Sequence, residues 1–406
     1  MSSCLVCSSK ISPFVSFGKM PVANGFLMPE EYETEFFFNL EIGRCHSCSM
    51  VQLTQPVNPD QLFHENYAYF ASTSASMTDH FKFFSQEVSD RLEGIKDPFV
   101  IEIGSNDGIM LQNFAQANIR HLGVEPSENV ANEARSRGIE TTSCFFNETT
   151  AREILAEHGS ASAILGANAI SHIPEINSLL SGVNILMAKG GIFMFEEPYL
   201  GDIIAKTAYD QFYDEHVFYF CLSSLSNALA RHGMVIIDAA PQNTHGGSMR
   251  YMIARDGERS VSPNIAELRK REESLGLDDE ATFIELRKRI EASSVKLTSL
   301  LESLKKDGKR VVGYGATSKS TTVTNYAQIG HDLVEFISDT TPAKQGKFTP
   351  GMHIPVRPYQ EFKENYPDYA LLLAWNHREE IIANEQEFLR QGGKFITFVP
   401  KVEIQD

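Results

Sequence analysis

The sequence predicts an α/β protein in which a small cysteine-rich domain precedes two Rossmann-like domains. The first 60 residues contain four of the six cysteines and short stretches typical of β-strands. From residue 99 onward strand-like and helix-like segments alternate, which favours mainly parallel sheets. A glycine turn follows a strand-like run at two places, Gly104–Gly108 and Gly313–Gly315. We therefore expect three domains, at residues 1–65, 66–255 and 256–406.

The bulk composition limits the class of protein. A chain of 406 residues with 42% hydrophobic and 22% charged residues is typical of a globular protein of two or three domains. The net charge of −17 argues against a nucleic-acid partner, because no basic excess is present to release counterions. No signal peptide and no apolar run of membrane-spanning length are visible. We expect a cytoplasmic monomer or homodimer with no membrane partner.

Two Cys-x-x-Cys pairs lie in the N-terminal domain. In a reduced compartment such pairs predict a zinc-ribbon-like site, because two pairs of thiolates complete a tetrahedron around the metal. The expected Zn²⁺ ligands are Cys4, Cys7, Cys45 and Cys48. Four thiolates leave no open position for water, so we expect a structural ion. A redox dithiol and a coincidence of spacing are the alternatives. Short β pieces are expected at residues 15–24 and 35–42.

The stretch from Phe99 to Gly108 predicts a strand, a tight turn and the start of a helix. The next predicted strand ends at Glu125, where a carboxylate can accept hydrogen bonds from both hydroxyls of a ribose. This Glu-x-Gly-x-x-x-Gly pattern with a later acid resembles the S-adenosylmethionine site of class I methyltransferases. A generic nucleotide-binding fold is the alternative. The expected cofactor-binding residues are Glu102, Gly104, Ser105, Asn106, Asp107, Gly108, Glu125 and Asn168.

The predicted elements of the middle domain place these polar residues at the carboxyl ends of strands, where such sheets bind ligands. We expect strands at residues 99–103, 120–125, 162–168, 191–197, 234–240 and 248–254. We expect helices near residues 108–118, 127–137, 148–157, 175–188 and 221–232. His172 follows the strand that should face the cofactor, and a structural histidine is its alternative interpretation.

The segment Tyr209–Phe220 combines a histidine with carboxylates and tyrosines. A histidine can remove a proton near neutral pH, and an adjacent carboxylate or phenol can orient it and change its pKa. His216, Glu215 and Tyr213 are therefore candidate catalytic residues. An aromatic core strand with a charged turn is the alternative.

The C-terminal domain repeats the sequence of strand, glycine turn and helix start. Strands are predicted from Arg310, at residues 333–338 and 369–375, and last at 394–399, where the strand closes the chain. Charged amphipathic segments at residues 263–274 and 278–306 precede them and are expected to have solvated faces. Hydroxyl residues and a lysine at a helix N-terminus suit a phosphate group, and a fold without ligand is the alternative. The expected substrate-binding residues are Tyr314, Ser318, Lys319 and Asn376, with Lys344 and Lys347 as weaker candidates.

The order of these motifs resembles the sugar C-methyltransferase family that acts on nucleotide-linked 4-keto deoxysugars. The matching motifs are the two Cys-x-x-Cys pairs, Pro21–Asn24, Glu102–Gly108, Gly123–Ser127, Asn168 with His172, Tyr213-x-Glu215-His216, and His245–Ser248. The resemblance implies a zinc-binding N-terminal domain, a methyltransferase middle domain and a C-terminal domain that closes over the sugar nucleotide.

The same resemblance implies roles for individual residues. His216 is the implied base, and Tyr213, Glu215, His172 and Tyr67 are implied to line the sugar pocket. One position departs from the family pattern Tyr-His-Glu-His, because Asp214 replaces the first histidine. This replacement leaves the identity of the substrate open.

Our leading hypothesis is C-methylation beside a ketone, in which His216, oriented by Glu215, removes the α-proton and the resulting enolate accepts the methyl group. Tyr213, His172 or a water would stabilise the charge on the ketone oxygen. One alternative is a methyltransferase that acts on oxygen or on a small molecule that is not a sugar. The other is a non-catalytic zinc- and nucleotide-binding module.

Overall fold

Three β-sheets organise the computed structural model, which describes residues 2–62 and 75–405. Tyr67 lies outside the described residues. The described strands, in chain order, are β1 (Ile11–Pro21), β2 (Phe37–Cys45), β3 (Val51–Leu53), β4 (Phe99–Ile103), β5 (Arg120–Val124), β6 (Thr141–Thr142), β7 (Ala161–Ala167), β8 (Met187–Pro198), β9 (Phe218–Tyr219), β10 (Met234–Gln242), β11 (Ser248–Arg255), β12 (Val311–Tyr314), β13 (Ile337–Asp339), β14 (Val356–Pro358), β15 (Tyr369–Leu372), β16 (Lys394–Thr397) and β17 (Glu403–Gln405).

The helices cover the faces of these sheets. In chain order the described α-helices are α1 (Ala75–Arg91), α2 (Leu111–Gln116), α3 (Glu128–Ser136), α4 (Glu148–His158), α5 (Ile176–Leu186), α6 (Leu200–Lys206), α7 (Leu222–Ala230), α8 (Asn264–Leu275), α9 (Glu280–Lys306), α10 (Ser318–Tyr326), α11 (Tyr359–Glu364), α12 (Arg378–Asn384) and α13 (Gln386–Arg390). Within residues 2–62 and 75–405, no helix has the length and apolar character needed to cross a bilayer.

The middle sheet has seven strands in the order β10-β11-β8-β7-β4-β5-β6. Strands β4 to β8 run parallel, and β10 and β11 add an antiparallel edge. All five residues of β4 are buried, which explains why four of them are apolar and only Glu102 is polar. The parallel register brings the carboxyl ends of β4, β5 and β7 to one edge of the sheet. The predicted strands of this domain are confirmed, with small differences at their ends.

The N-terminal sheet is built on a long antiparallel pair of strands, which is longer than the β pieces predicted from the sequence. Strands β1 and β2 pair from Ile11 opposite Cys45 to Pro21 opposite Phe37, whereas the predicted β pieces were shorter and shifted. Two register shifts in β1 interrupt the alternation of buried and exposed residues and hide its length. Strand β9 of the aromatic segment pairs with β3 and completes this sheet, so part of that segment is a core strand.

The C-terminal sheet has the order β14-β13-β12-β15-β16-β17. Its first five strands are parallel, as expected for a Rossmann-like unit. The prediction that the strand at residues 394–399 closes the chain is wrong, because β17 follows and pairs antiparallel with β16. Strands β14 and β17 have three residues each, which is too short for a periodic pattern to identify them.

Helix α9 is charged on one side and buried on the other. Its inner face packs Phe283 against Phe14 of β1, with ring centroids 4.9 Å apart. Arg289 of the same helix donates to the carbonyl oxygen of Ile204 in α6 at 2.9 Å. The predicted solvated face is therefore one side of a helix whose other side joins the N-terminal and middle sheets.

A buried carboxylate holds the N-terminus of α7 against α8. Glu272 of α8 is 2% exposed and accepts hydrogen bonds from the backbone N–H of Leu222 at 2.6 Å and of Ser223 at 3.1 Å. It also accepts from the hydroxyl of Tyr199 at 3.1 Å. A negative charge at this position caps free N–H groups and complements the helix dipole.

We expect Glu272→Ala to lower the free energy of unfolding by about 3 kcal/mol, because it leaves two N–H groups and a phenol buried without acceptors. Urea unfolding followed by circular dichroism measures this loss. Glu273→Ala, which alters an exposed neighbour, is the matched control. Equal unfolding midpoints for the two variants would contradict this account of Glu272.

Candidate active site

One cavity of about 710 Å³ begins at the carboxyl ends of the middle sheet and reaches the N-terminus of α10. All three parts of the chain contribute to its wall. Its polar and charged lining residues include Asn24, Glu102, Ser105, Asn106, Glu125, Asn168, His172, Tyr213, Glu215, His216, His245, Ser318, Lys319, Lys344, Asn376 and His377. The structure therefore brings six of the eight predicted cofactor-binding residues to one space with the candidate catalytic residues His172, Tyr213, Glu215 and His216.

The turn after β4 is shaped by a close approach of two backbones. Gly104 has φ 68°, and a Cβ there would lie 2.4 Å from the Cβ of Ala169. The turn continues through Asn106, which is also left-handed with φ 49°. The carboxylate of Glu125 accepts from the N–H of Asn106 at 3.0 Å and from that of Ser127 at 2.8 Å. Glu125 thus fixes the turn in addition to facing the cavity.

Two predicted cofactor-binding residues lie behind this turn rather than in the cavity wall. The carboxylate of Asp107 is fully buried and lies 3.6 Å from the guanidinium of Arg137. Gly108, with φ 78°, faces Ile139, whose side chain would be 2.9 Å from an added Cβ. Both residues support the turn from outside the cavity wall, in the segment between Asn106 and the start of α2 at Leu111.

The β4 end of the cavity is rich in hydrogen-bond acceptors. Burial, followed by the charges of Glu125 and Asp107, raises the pKa of Glu102 well above its usual value. Within residues 2–62 and 75–405, Glu102 Oε2 and Asn168 Oδ1 are buried without a hydrogen-bond partner. Buried acceptors without partners are costly, so a ligand with donor groups is expected there. The ribose hydroxyls and ammonium group of S-adenosylmethionine fit this donor requirement.

His216 is held in one tautomer by its two neighbours. Its Nδ1 lies 2.9 Å from the backbone oxygen of Gln211, and because a carbonyl only accepts, Nδ1 carries the proton. Nε2 is then the acceptor, and it receives the hydroxyl of Tyr213 at 3.0 Å. Burial lowers the pKa of His216 well below its usual value, and the charges of His172 and Lys319 add to this effect. The ring of His172 lies 5.2 Å from that of His216.

The sequence suggested that Glu215 orients His216, but the hydrogen bonds at the two imidazole nitrogens come from Gln211 and Tyr213. Glu215 bonds to the N-terminal part of the chain. Its Oε1 accepts from the side-chain amide of Asn24 at 2.6 Å, and the Nδ1 of His216 is held by Gln211 instead. The oxygen of the same Asn24 amide accepts from the hydroxyl of Ser318 at 2.7 Å. Asn24 thus joins the N-terminal, middle and C-terminal parts of the chain at the cavity wall.

Asp214, the departure from the family pattern, does not line the cavity. Its Oδ1 accepts from the N–H of Ala23 at 3.0 Å, beside Asn24. Burial, followed by the charge of Glu215, raises the pKa of Asp214 to about 8. The replacement therefore acts on the loop that carries Asn24 and not on a substrate-facing surface.

Three of the four predicted substrate-binding residues, Ser318, Lys319 and Asn376, line the cavity. Lys319 Nζ is buried and has no hydrogen-bond partner in the part of the chain that the structure describes. Burial lowers the pKa of Lys319 to about 8, with Asp210 opposing the shift. Tyr314 is absent from this wall, because its hydroxyl donates to Glu385 at 2.7 Å and its ring packs on Phe362.

Sequence reasoning missed several lining residues. Asn24 and His245 belong to the motifs that matched the family, but no role follows from those motifs alone. Gln211, which is not part of the cavity wall, was also missed and had no detectable signal, because it acts on His216 through its backbone oxygen. His377 follows the predicted Asn376 and faces the same cavity.

The four N-terminal cysteines come together as predicted. Their sulfur atoms all lie within 4.8 Å of one another, with Cys4 to Cys48 at 3.5 Å and Cys7 to Cys45 at 3.4 Å. A tetrahedral Zn²⁺ with Zn–S bonds of about 2.3 Å separates its sulfurs by about 3.8 Å. The cluster therefore fits a structural zinc ion, held at the end of the β1–β2 pair where Ile11 lies opposite Cys45.

Comparisons with known proteins agree with this geometry. Family models match a zinc binding domain at residues 4–63, a methyltransferase domain at 71–239 and a C-methyltransferase C-terminal domain at 243–400. C-methyltransferase NovU of Streptomyces niveus is 36% identical over 392 residues, which cover 96% of this chain and 93% of that protein. A ubiquinone biosynthesis O-methyltransferase of Colwellia psychrerythraea is 24% identical, covering 46% of this chain and 88% of that protein.

Solved structures with detectable similarity include a S-adenosylmethionine-dependent methyltransferase from Clostridium acetobutylicum. It shares 13% identity with a TM-score of 0.36, and the match covers 44% of this chain and 92% of that chain.

The parallel sheet with its glycine turn, together with the matching methyltransferase domain, defines an S-adenosylmethionine-dependent methyltransferase that also binds zinc. Within that class, the full-length similarity to NovU shows that the chain belongs to the C-methyltransferase family.

We expect one Zn²⁺ per chain, lost in Cys48→Ser, because three thiolates hold the ion less tightly and the β1–β2 pair then loses its clasp. Inductively coupled plasma mass spectrometry of the purified protein measures the metal content. Cys144→Ser, which changes a cysteine outside the cluster, should keep a full complement of zinc. Full zinc occupancy in Cys48→Ser would contradict the four-thiolate site.

Proposed function

We propose that the protein methylates a carbon next to the ketone of a nucleotide-linked 4-keto deoxysugar. The observation that carries this proposal is the tautomer of His216, whose Nε2 is a proton acceptor in the wall of the cavity that also contains Glu102 and Glu125. A C–H bond needs a base and an adjacent carbonyl to ionise, whereas the methyl group needs only to be aligned. Membership of the C-methyltransferase family supports a carbon acceptor.

The nucleotide part of the substrate is assigned to the α10 end of the cavity. Ser318 and Lys319 stand at the N-terminus of α10, where free N–H groups and the helix dipole favour an anion. The buried ammonium group of Lys319 lacks an acceptor among the described residues, and a phosphate oxygen would supply one. Asn376 lines the same end. The sugar then lies between Lys319 and Glu125, next to His216.

The reaction follows from the groups around the sugar. Bound S-adenosylmethionine supplies an electrophilic methyl group at the β4 end of the cavity. The Tyr213 hydroxyl donates to His216 Nε2 in the free protein and must turn away to free its lone pair. His216 Nε2 then takes the α-proton, and the backbone oxygen of Gln211 accepts from Nδ1–H of the imidazolium that forms. His172, whose ring lies 5.2 Å from that of His216, lines the sugar pocket with Tyr213 and Glu215. Lys344, which donates to the carbonyl oxygen of Ala316 at 2.8 Å, adds positive charge to the wall of the cavity.

We expect wild-type protein with S-adenosylhomocysteine in deuterated water to exchange the α-proton of a nucleotide-linked 4-keto-6-deoxysugar. His216→Asn should slow both exchange and methyl transfer by at least about 100-fold, because the base is lost while the bond to Gln211 can persist. Mass spectrometry of the recovered sugar nucleotide measures exchange and methylation separately.

The exposed His331 provides the matched control, and His331→Asn should behave as wild type. Methyl transfer by wild type without exchange would contradict the enolate mechanism and indicate an oxygen acceptor. Cofactor binding without any methyl transfer would contradict the substrate class.

We expect kcat/KM for the sugar nucleotide to fall above about pH 8, because Lys319 is charged below its pKa of about 8 and loses that charge as the pH rises through it. Lys319→Met should have a lower kcat/KM that no longer falls there. A pH profile of initial rates tests this, with Lys347→Met, outside the cavity wall, as control. If kcat/KM of Lys319→Met still falls above about pH 8, the fall does not arise from Lys319 and its assignment to the substrate phosphate is contradicted.

A further inference from the structure

His245 adopts a backbone conformation that is uncommon for its residue type. It has φ 54° and ψ 20° and lies in the short turn that joins β10 to β11. Two bonds hold this turn, since Gln211 Nε2 donates to the oxygen of His245 at 2.7 Å and Lys206 Nζ donates to the oxygen of Gly246 at 2.5 Å. Residues held in the left-handed region concentrate at functional sites.

The turn is also clamped by the C-terminal part of the chain. A Cβ at Gly246 would lie 2.1 Å from the ring of Trp375, so the indole packs directly on the glycine backbone. Trp375 Nε1 donates to Asp210 at 2.6 Å, which fixes the indole in place. The backbone of this turn is therefore held by contacts from the middle and C-terminal parts of the chain.

The imidazole of His245 lines the active-site cavity. Its Nε2 is buried and has no hydrogen-bond partner within residues 2–62 and 75–405. A buried ring nitrogen without a partner is costly, and the bonds that hold the turn keep His245 at the cavity wall. A bound molecule would supply the missing partner.

The position of His245 relative to the base is set by one residue. Gln211 accepts from His216 Nδ1 through its backbone oxygen and donates to the backbone oxygen of His245 through its side chain. The two histidines therefore approach the same part of the cavity from separate loops. Burial is the main cause of the lowered pKa of both histidines, and the positive charge of Lys319 adds to it in each case.

The charge state of His245 limits what it can bind. Burial, followed by the charge of Lys319, lowers the pKa of His245 to about 3, so the ring is neutral at the pH of catalysis. A neutral imidazole has one N–H and one lone pair. It offers no net charge to a phosphate, a role that Lys319 fills. An N–H beside a lysine ammonium group suits an oxygen that gains negative charge during the reaction.

We propose that His245 donates a hydrogen bond from Nε2 to the ketone oxygen of the substrate and stabilises the enolate that His216 generates. This inference rests on the function proposed above. His216 Nε2 takes the α-proton, the C–H electron pair forms the new C=C bond, and the carbonyl π pair moves to the oxygen held by His245. When the α-carbon takes the methyl group of S-adenosylmethionine, the C–S bond breaks, its electron pair stays on the sulfur of S-adenosylhomocysteine, and the carbonyl re-forms. His216 then returns its proton to solvent. The proton on His245 stays on nitrogen throughout.

The test is the rate of α-proton exchange in deuterated water with S-adenosylhomocysteine, using two variants of His245. Asn favours the left-handed conformation, so His245→Asn should fold, but its amide is too short to reach the position of Nε2. We expect it to slow exchange by about 100- to 1,000-fold, as for loss of one oxyanion donor, with KM for the sugar nucleotide within about threefold. His245→Gln, which places an amide N–H near that position, should recover about tenfold.

Calorimetric binding of S-adenosylhomocysteine reports whether each variant is folded, and the exposed-site variant His331→Asn is the control. Wild-type exchange in His245→Asn would overturn the proposal. A rise in KM with an unchanged maximal exchange rate would also overturn it, because His245 would then only bind substrate. Loss of exchange in His172→Gln but not in His245→Asn would move the role to His172. If wild type itself neither exchanges nor methylates the ketosugar, the proposed function fails, and this assignment fails with it.

Discussion

The side-chain amide of Asn24 is the contact on which the site depends. Its nitrogen donates to Glu215 and its oxygen accepts from Ser318, so one residue of the N-terminal sheet ties the methyltransferase sheet to α10. Nearby bonds repeat this connection, with Thr321 donating to the oxygen of Ala23 at 3.0 Å and Thr322 to that of Phe212 at 2.7 Å. The cavity exists because these three parts meet there. The zinc cluster also supports the position of Asn24, because it fixes the β1–β2 pair at the end of the pair that is far from Asn24.

The cavity is electrically polarised although the chain carries a net charge of −17. The carboxyl groups of Glu102 and Glu125 lie at the β4 end, where burial raises the pKa of both and a bound cation would favour their charged form. The ammonium groups of Lys319 and Lys344 lie at the α10 end. A cationic cofactor and an anionic sugar nucleotide would therefore bind in one orientation, with their reacting atoms meeting between the two ends. The imidazoles of His216 and His245 occupy this middle region. Both are neutral, so neither cancels the polarity.

Burial of the base has a cost and a benefit. It weakens His216 as a base by lowering its pKa, but it also keeps Nε2 unprotonated and free of bulk water. A weak base needs help from the acceptor side of the reaction, and a hydrogen bond to the ketone oxygen provides it by making the α-proton more acidic. The proposed roles of His216 and His245 therefore depend on each other, because removal of the α-proton needs both a base and a donor to the ketone oxygen.

The sequence by itself determined the elements and the local motifs. Strand β4 has the predicted bounds, the middle-sheet strands lie where the apolar runs predict them, and the two cysteine pairs converge as their spacing indicates, because each signal is local and periodic. Only the tertiary structure decided which side chains meet. Asn24 contacts partners 191 and 294 residues away, Gln211 acts through a backbone atom, and Tyr314 packs into a core although its motif suggested a ligand. Such pairings depend on how distant segments pack, and no local pattern records that.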